Sequence, residues 1–294
     1  MTKVLIILLV WLCVCPLSAD TQEDMVKKWL FTLTSDSFDG RRSGTHGCKK
    51  ACEYIVNQVN SMGYLPQVDT FKYKEATLRN VIVPVGNVKD TVIVVGAHYD
   101  GQFESNLLRK YPAADDNASG VVTVLSLLKK YQMNKVDIHY PILFCFWDGE
   151  EYCYGDIFKG SKYFVKNNTK TILYYVNIDT VGHDHGQSNT MSFLYRGHGV
   201  SDIVNDLFKS KVFKFRHFEA QKGVGASDQV PFDATDIPYI SFYDSPASNH
   251  KECGHDLHTV NDIPEAVSID RIIILSELVF HLLNNYNYGI KTVY

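Results

Sequence analysis

The sequence predicts a single α/β domain, in which helices cover both faces of a mostly parallel, mixed central sheet. Strand-like and helix-like segments alternate along the chain, which is the pattern of parallel strands joined by crossover helices. Two of the strand-like segments, TVIVVGA and PILFCFW, are almost continuously apolar, as central strands buried on both faces are. Neither an internal repeat nor a linker divides the chain, so one domain is predicted from residue 20 to residue 294.

The predicted helices follow from apolar residues that recur at helical spacing. In the second helix, for example, Ala51, Ile55 and Val59 recur every four positions and so lie on one face. In chain order, this spacing predicts helices over Thr21–Thr34, Cys48–Met62, Ser119–Tyr131, Ser161–Asn167, Val200–Ser210 and Pro264–Asn284.

The predicted strands are short runs rich in β-branched and aromatic residues and bounded by turn residues. In chain order, they are Asn80–Val85, Thr91–Ala97, Ile138–Trp147, Thr171–Ile178, Met191–Tyr195 and Pro238–Phe242. Ligands of open α/β sheets bind outside the carboxyl ends of the strands, so these ends are where a functional site is expected.

Composition and charge exclude several classes of protein. The chain has 294 residues, of which 45% are apolar and 21% are charged, and this is ordinary globular composition. The 29 basic and 33 acidic residues give a net charge of −4, so there is no basic excess to bind the phosphates of a nucleic acid. No apolar run after the first twenty residues reaches membrane length, so stable membrane insertion is not expected.

Residues 1–19 are predicted to be a secretory signal peptide. Lys3 precedes an apolar run, Val4–Cys15, and small residues follow at Ser18 and Ala19. The run is shorter than the roughly 20 residues that span a bilayer, although an uncleaved anchor is the alternative. We therefore expect the protein to be secreted, periplasmic or in the lumen of the secretory pathway. Cys48 and Cys52 lie on one predicted helix and are interpreted as buried thiols rather than a disulfide.

Polar side chains that suit a metal follow several of the predicted strands. His98 and Asp100 end one strand and project to the same side, so the histidine could bind a metal while the carboxylate orients its ring. Acidic residues also occur beside other elements, at Asp115, Asp116, Asp148, Glu150, Glu151 and Asp179, and His258 comes late in the chain. Taken singly, each motif could equally be a helix cap, a solvated turn or a surface histidine.

Taken together, five of these residues indicate a metal centre at the carboxyl edge of the sheet. Imidazole and carboxylate ligands in one site suit zinc, with manganese or cobalt less favoured. The predicted ligands are His98, Asp116, Glu151, Asp179 and His258. Glu150, next to one of them, could take a proton from water bound to the metal.

These motifs, in this order, resemble the zinc exopeptidases of clan MH, a family that includes the bacterial leucyl aminopeptidases. The resemblance covers roughly residues 40 to 265. The upstream segment GRRSGTHGCKKACEYIVNQVNSMGYLPQ is also similar to the N-terminal helix of that family. The segments that carry the resemblance are GAHYDG, ADDNASG, FWDGEE, NIDTVG, SDQVPF and LHT.

The resemblance implies two zinc ions per chain, bridged by Asp116. One ion would be held further by His98 and Asp179, and the other by Glu151 and His258. Glu150 would be the general base that activates a water between the ions, and Asp100 the partner that orients His98. The family also often has a cis peptide after the bridging aspartate, which here is the Asp116–Asn117 bond.

The implied activity is that of a secreted aminopeptidase, which hydrolyses peptides at a free N-terminus. Glutaminyl cyclase, with one functional zinc, is the second possibility, because FWDGEE suits it well. Leu257 argues against it, since the cyclases tend to have a tryptophan at that position. A non-catalytic binding protein of the same fold, and a carboxypeptidase or dipeptidase of the same clan, remain open.

Several other positions are weaker candidates for contact with a substrate or a metal. Phe232, Phe242 and Tyr243 are candidate walls of an apolar side-chain pocket, with core packing as the alternative reading. Gln229 stands where relatives often have histidine, which leaves a detail of substrate contact open. The histidine-rich segments at residues 183–185 and 250–255 are interpreted as polar loops rather than as further metal sites.

Overall fold

The computed structural model describes residues 20–102, 111–151, 155–183, 190–200, 203–205, 214–243 and 256–289. Within these ranges, eight strands form one mixed sheet in the order β1-β2-β4-β3-β5-β8-β6-β7. The predicted signal peptide, most of the predicted helix Val200–Ser210, Cys153 and Cys253 lie outside the described residues.

The centre of the sheet is parallel, as the sequence predicts. Strands β4, β3, β5 and β8 run in one direction as neighbours, and antiparallel pairs flank them on both sides. The strands are β1 Gln67–Tyr73, β2 Ala76–Val85, β3 Thr91–His98, β4 Ile142–Trp147, β5 Thr171–Ile178, β6 Thr190–Arg196, β7 Lys214–Glu219 and β8 Tyr239–Tyr243.

Six α-helices of the described residues surround the sheet. Thr21 and Thr45 precede the first two, and each side chain accepts a hydrogen bond from a backbone N–H of the first turn, which caps the helix. The helices are α1 Gln22–Leu33, α2 His46–Ser61, α3 Gly120–Asn134, α4 Lys159–Asn167, α5 Gln229–Ala234 and α6 Ile269–Gly289. Two 3₁₀ turns, Asp36–Arg41 and Pro264–Ala266, and an irregular turn, Ala114–Ser119, complete the described elements.

Alternate side chains of the central strands enter two separate apolar layers. On β3, Ile93 and Val95 belong to the larger layer, which includes residues of α1, α2, α3 and α6. Val92 and Val94 belong to the smaller layer, which includes Phe164 of α4 and Phe232 of α5. Because successive strand residues face opposite sides of the sheet, this division confirms that helices cover both faces.

The two outermost strands are absent from the sequence prediction. In β1, Phe71 is buried while most of its other side chains are exposed or half-buried, so the strand lacks an apolar run. Strand β7, Lys214–Glu219, is equally polar in sequence, and within the described ranges its only partner is β6. Edge strands have one partner and one open side, and their composition is therefore less apolar than that of central strands.

Several side chains predicted as pocket or core residues lie in the core. Phe232 and Phe242 are fully buried, and Phe232 stacks on Tyr175 with ring centroids 3.9 Å apart. Their proposed role as pocket walls is therefore wrong, and the alternative reading is correct. Cys48 and Cys52 are buried free thiols, which confirms the interpretation from sequence. Among the described residues, no helix combines the length and apolarity needed to span a membrane.

Candidate metal centre

The predicted metal ligands converge at the carboxyl edge of the parallel strands. His98 is the last residue of β3, and Asp179 directly follows β5, which is the neighbour of β3. Glu151 follows β4, the neighbour of β3 on the other side, so three adjacent strands deliver one ligand each. Asp116 lies in the irregular turn before α3, and His258 lies in the loop that leads to α6.

The first ligand group consists of His98, Asp116 and Asp179. The Nε2 atom of His98 lies 3.2 Å from Oδ1 of Asp116 and 3.3 Å from Oδ1 of Asp179. One ligand atom from each of the three residues falls within 4.8 Å of the others. All three side chains are buried, so their charges face one another with little water between them.

The second ligand group consists of Asp116, Glu151 and His258. The Nε2 atom of His258 lies 2.9 Å from Oδ2 of Asp116 and 3.3 Å from Oε1 of Glu151. Half of the His258 side chain is exposed, so this group opens toward solvent. The two oxygens of Asp116 face different histidines, and this is the arrangement that a bridging carboxylate requires.

The turn that carries Asp116 is fixed by its own neighbours. The Asp116–Asn117 peptide bond is cis, as the resemblance implies. The Asn117 side chain accepts a hydrogen bond from Gly120 N–H at 3.0 Å and donates one to the carbonyl of Ile178 at 3.0 Å. These contacts tie the turn both to the first residue of α3 and to the end of β5.

Asp100 lies beneath the site, and its carboxylate mainly accepts hydrogen bonds from the loop after β4. It accepts hydrogen bonds from the backbone N–H groups of Glu150 at 3.1 Å and Glu151 at 3.2 Å. Its Oδ1 is 3.5 Å from Nδ1 of His98, whereas its backbone carbonyl is closer to that nitrogen, at 3.2 Å. Asp100 therefore orients His98 through the main chain and positions the paired glutamates through its carboxylate.

Attraction between acids and histidines shifts the pKa values of His258 and Asp116 in opposite directions. Hydrogen bonds that His258 donates to the carboxylates of Asp116 and Glu151 raise the pKa of His258 to about 11. Burial opposes ionisation of Asp116, but the hydrogen bonds to His258 and His98 outweigh it and lower the Asp116 pKa. The carboxylates thus attract positive charge strongly, and a bound metal cation would meet the same attraction.

Glu150 is buried at the edge of the first ligand group and belongs to neither group. Its Oε2 atom is 3.9 Å from Nε2 of His98. Burial raises the pKa of Glu150 well above its usual range, and the nearby charge of Glu151 adds to this effect, although His98 opposes it. A carboxyl that holds a proton more tightly than usual is suited to general acid–base chemistry near neutral pH.

The side chains that meet here fit zinc. The buried Oε1 atom of Glu151 faces Nε2 of His258 at 3.3 Å, and a buried carboxylate oxygen is costly unless a charged imidazole or a metal cation compensates it. Burial raises the pKa of Glu151 to about 7, and the charge of Asp116 adds to this shift. Two imidazoles and three carboxylates, arranged as two groups of three that share one residue, match the ligand types that zinc takes.

Several positioning residues escape sequence reasoning. Asp262 accepts hydrogen bonds from the backbone N–H groups of Asp115 at 2.6 Å and Asp116 at 3.1 Å. Asp115 in turn accepts the N–H of Gly182 at 2.7 Å, which joins the turn to the loop after β5. Asp262 belongs to no motif and is more than 140 residues from its partners, so the chain offers no local signal for it.

Asp148 is a further buried acid, and the hydroxyl of Ser43 lies between its carboxylate and that of Asp100. The Oγ atom of Ser43 is 2.6 Å from Oδ1 of Asp148 and 2.9 Å from Oδ2 of Asp100. Arg79 N–H also donates to Asp148, at 2.9 Å. Burial, and then the charge of Asp100, raise the Asp148 pKa to about 6.

This shift predicts a specific dependence of stability on pH. The folded protein holds the Asp148 proton more tightly than the unfolded chain, whose pKa is near 3.8. The carboxyl therefore favours folding fully below about pH 4 and loses that contribution as pH rises through about 6. The Asp148→Asn variant should lack the contribution of this carboxyl. Between pH 8 and pH 5, its free energy of unfolding should therefore rise by about 1 kcal/mol less than that of the wild type.

Urea denaturation at both pH values, with zinc present, measures this difference. Asp137→Asn serves as the control, because Asp137 is exposed and its replacement should keep the wild-type dependence. Equal pH dependence in wild type and Asp148→Asn would contradict the assigned role of the Asp148 carboxyl.

Two features singled out in the sequence have local structural roles. Gln229 is buried, and its Oε1 accepts a hydrogen bond from Nδ2 of Asn177 at 3.2 Å, so its amide is engaged in the interior. His183 belongs to neither ligand group and pairs through its backbone with Val267. The rest of residues 183–185, and all of 250–255, lie outside the described residues.

Comparison with known sequences gives a family match over most of the chain. The model of Peptidase family M28 matches residues 80–283. Leupeptin-inactivating enzyme 1 of Streptomyces exfoliatus is 25% identical over 214 residues, which cover 71% of this chain but 45% of that enzyme. A probable leucine aminopeptidase of Trichophyton verrucosum is 23% identical over 262 residues, covering 84% of this chain and 67% of that protein.

Solved structures of two named activities share the fold. The LapA aminopeptidase of Legionella pneumophila has a TM-score of 0.74 at 18% identity, covering 89% of this chain and 70% of that one. The glutaminyl cyclase of Porphyromonas gingivalis also has a TM-score of 0.74, at 21% identity, covering 90% of this chain and 98% of that one. At these identities the likeness establishes the α/β fold and leaves the reaction open.

Proposed function

The chain belongs to Peptidase family M28, and from that premise we propose that it is a zinc-dependent aminopeptidase that removes residues from peptide N-termini. The observation that carries the proposal is the pair of ligand groups that share Asp116. Glu150, a buried acid that belongs to neither group, lies beside them.

The proposed centre holds two zinc ions per chain. One would be held by His98, Asp116 and Asp179, and the other by Asp116, Glu151 and His258, so the five ligands are those of the sequence analysis. When bound, zinc supplies a Lewis acid that lowers the pKa of a water molecule and polarises a peptide carbonyl.

The chain's own residues would then move the proton and hold the groups in place. Glu150 would accept the proton of the attacking water at Oε2 and pass it to the nitrogen of the leaving amine, as a general base and then a general acid. Asp100 keeps that carboxyl in position through its hydrogen bond to the Glu150 backbone N–H. Burial of Glu150 keeps bulk water away from the proton transfer.

An excess of negative charge supports the choice of an N-terminal substrate. The two ligand groups, Asp100 and Glu150 together hold five carboxylates, and a further buried acid, Asp148, lies beside Asp100, whereas two zinc ions would bring four positive charges. A protonated α-amine would offset part of this negative excess, which a peptide with a blocked N-terminus cannot do. The five carboxylates are those of Asp100, Asp116, Glu150, Glu151 and Asp179.

Glutaminyl cyclisation is the second candidate function. The segment Phe146–Glu151, FWDGEE, favours it, and the fold is shared with cyclases. A cyclase with one functional zinc would leave one ligand group without a metal, whereas both groups are complete in this chain. For this reason the aminopeptidase is the preferred proposal.

A peptide assay tests the proposal directly. The protein lacking residues 1–19 is incubated with zinc and peptides that begin with Leu or Gln, and products are identified by mass. We expect loss of the N-terminal residue, and we expect acetylation of the peptide amine to prevent it. Release of ammonia from the Gln peptides alone would instead establish the cyclase, and cleavage at the C-terminus would overturn both candidates.

We further propose that the mature protein acts outside the cytoplasm, because residues 1–19 have the features of a signal peptide. The N-terminal sequence of protein recovered from the culture medium or the periplasm tests this. A mature chain that begins near residue 20 is expected, and a chain that keeps residues 1–19 would contradict it.

A further inference from the structure

The segment before α2 packs directly beneath the metal centre. The 3₁₀ turn Asp36–Arg41 and Ser43 lie outside residues 80–283, the part of the chain that the family model matches. At the contact, Gly101 lies so close that a Cβ atom on it would be 2.5 Å from the carbonyl oxygen of Gly40. A side chain at position 101 would force the turn away from the loop that follows His98.

Arg41 is the central residue of this contact. It is 1% exposed, although arginine is among the residue types least often buried. Its guanidinium donates hydrogen bonds of 2.7–2.9 Å to four backbone carbonyls, those of Leu33, Tyr99, Pro112 and Ala113. Such a planar donor group can hold carbonyls that approach from different directions, which a lysine ammonium cannot do.

Three of the four carbonyls that Arg41 holds lie within four residues of a candidate metal ligand, and the fourth, that of Leu33, ends α1. Tyr99 follows His98 directly, and Ala113 lies three residues before Asp116. Tyr99 and Ala113 are the two ends of the segment that connects β3 to the irregular turn Ala114–Ser119, and the guanidinium links these ends directly. His98 and Asp116, which share the first ligand group, lie within three residues of the two ends of this link.

Ser43 adds a second link, between the loops after β3 and β4. Its hydroxyl lies between the carboxylates of Asp100 and Asp148 and is itself buried. Asp100 holds the backbone of Glu150 and Glu151, so a change at Ser43 reaches the second ligand group through one intermediate residue. Without the hydroxyl, two buried carboxylates would face each other across a gap, which is unfavourable.

We propose that Arg41 and Ser43 are positioning residues of the metal centre, which fix the relative places of the loops that carry His98, Asp116 and Glu151. This inference rests on the proposed function, since it concerns the zinc affinity of the same site. Residues 36–43, although none of them belongs to either ligand group, would therefore help to hold the metal ligands in place.

Zinc affinity of the purified protein tests the proposal. The dissociation constant for zinc is measured by competition with a chromophoric chelator for wild type, Arg41→Lys and Ser43→Ala. We expect affinity to fall by about 10- to 100-fold in both variants, the range found when groups that support metal ligands are removed. We also expect saturating zinc to restore a large part of the peptidase activity of Arg41→Lys.

Matched replacements at other buried sites separate positioning from general stability. Arg271 is a buried arginine that donates to the carbonyl of Thr190, and Ser276 is a buried serine on α6. Arg271→Lys and Ser276→Ala should lower the melting temperature yet leave the zinc dissociation constant within about threefold of wild type. Thermal unfolding of all five proteins is recorded alongside.

The outcomes separate failure of the inference from failure of the proposed function. Wild type that binds zinc, together with Arg41→Lys and Ser43→Ala variants of unchanged affinity, would overturn the inference alone. Equal loss of affinity in the Arg271 and Ser276 controls would also overturn it, because the effect would then be general destabilisation. If the wild-type protein binds no zinc, both the proposed function and this inference are contradicted. If Arg41→Lys does not fold, the proposal is tested by comparing the zinc dissociation constant of Ser43→Ala with that of its control, Ser276→Ala.

Discussion

Replacing Glu150 with glutamine is expected to lower the rate of peptide hydrolysis by about 10²- to 10⁴-fold while zinc stays bound. Glutamine has the shape of glutamate but cannot accept and return the proton of the attacking water. Glu150 belongs to neither ligand group, so its loss should leave the metal in place. The hydrogen bond from its backbone N–H to Asp100 does not depend on the side chain, and the loop should therefore keep its position.

Steady-state kinetics and zinc content per chain, measured on the same preparation, check this expectation. The effect should fall on kcat, because the proton transfer belongs to the chemical step. Glu75→Gln is the matched control, since Glu75 is exposed in the turn between β1 and β2. A Glu150→Gln protein that keeps its zinc and retains kcat within a few-fold would exclude Glu150 as the general base.

Replacing Asp116 with asparagine is expected to empty both ligand groups, whereas replacing His258 with alanine should empty one. The two oxygens of Asp116 face the two different histidines, His98 and His258. A neutral amide offers one oxygen and no charge, so it cannot bridge two cations. His258 belongs to the second group alone, and the first group would keep its three side chains.

Zinc per chain, determined by elemental analysis after dialysis, distinguishes these variants. We expect about two ions in wild type, about one in His258→Ala and well below one in Asp116→Asn, with peptidase activity lost in the last. Asp90→Asn, at an exposed position, should behave as wild type. Retention of the full zinc content by Asp116→Asn would refute a bridging role for this carboxylate.

The residues that form the two candidate ligand groups could be selected from the sequence because each is tied to a local pattern. His98, Glu151 and Asp179 end or follow apolar strands, and parallel strands bring their carboxyl ends to one edge. The order of the motifs then indicates the family and, with it, the bridging position of Asp116. The central strands could be predicted for the same reason, since burial on both faces leaves a continuous apolar run.

The positions that support the ligands could not be predicted in this way. Asp262 and Arg41 act on backbone groups far away in the chain, and neither has a spacing rule that links it to its partners. A buried arginine or aspartate looks in sequence like any surface charge, because its burial depends on which segments meet around it. The edge strand β1 was not predicted for a related reason, since its mostly exposed side chains form no apolar pattern.

Periodicity and the order of motifs are enough to predict the fold class, the family and the residues that are candidates to bind metal. Three other properties are visible only in the folded chain: Asp116 faces both histidines, Asp100 acts mainly on the backbone of the paired glutamates, and Phe232 and Phe242 belong to the core. These properties depend on distances of a few ångströms between side chains that are distant in sequence. Such distances are set by the packing of the whole domain, and no local pattern encodes them.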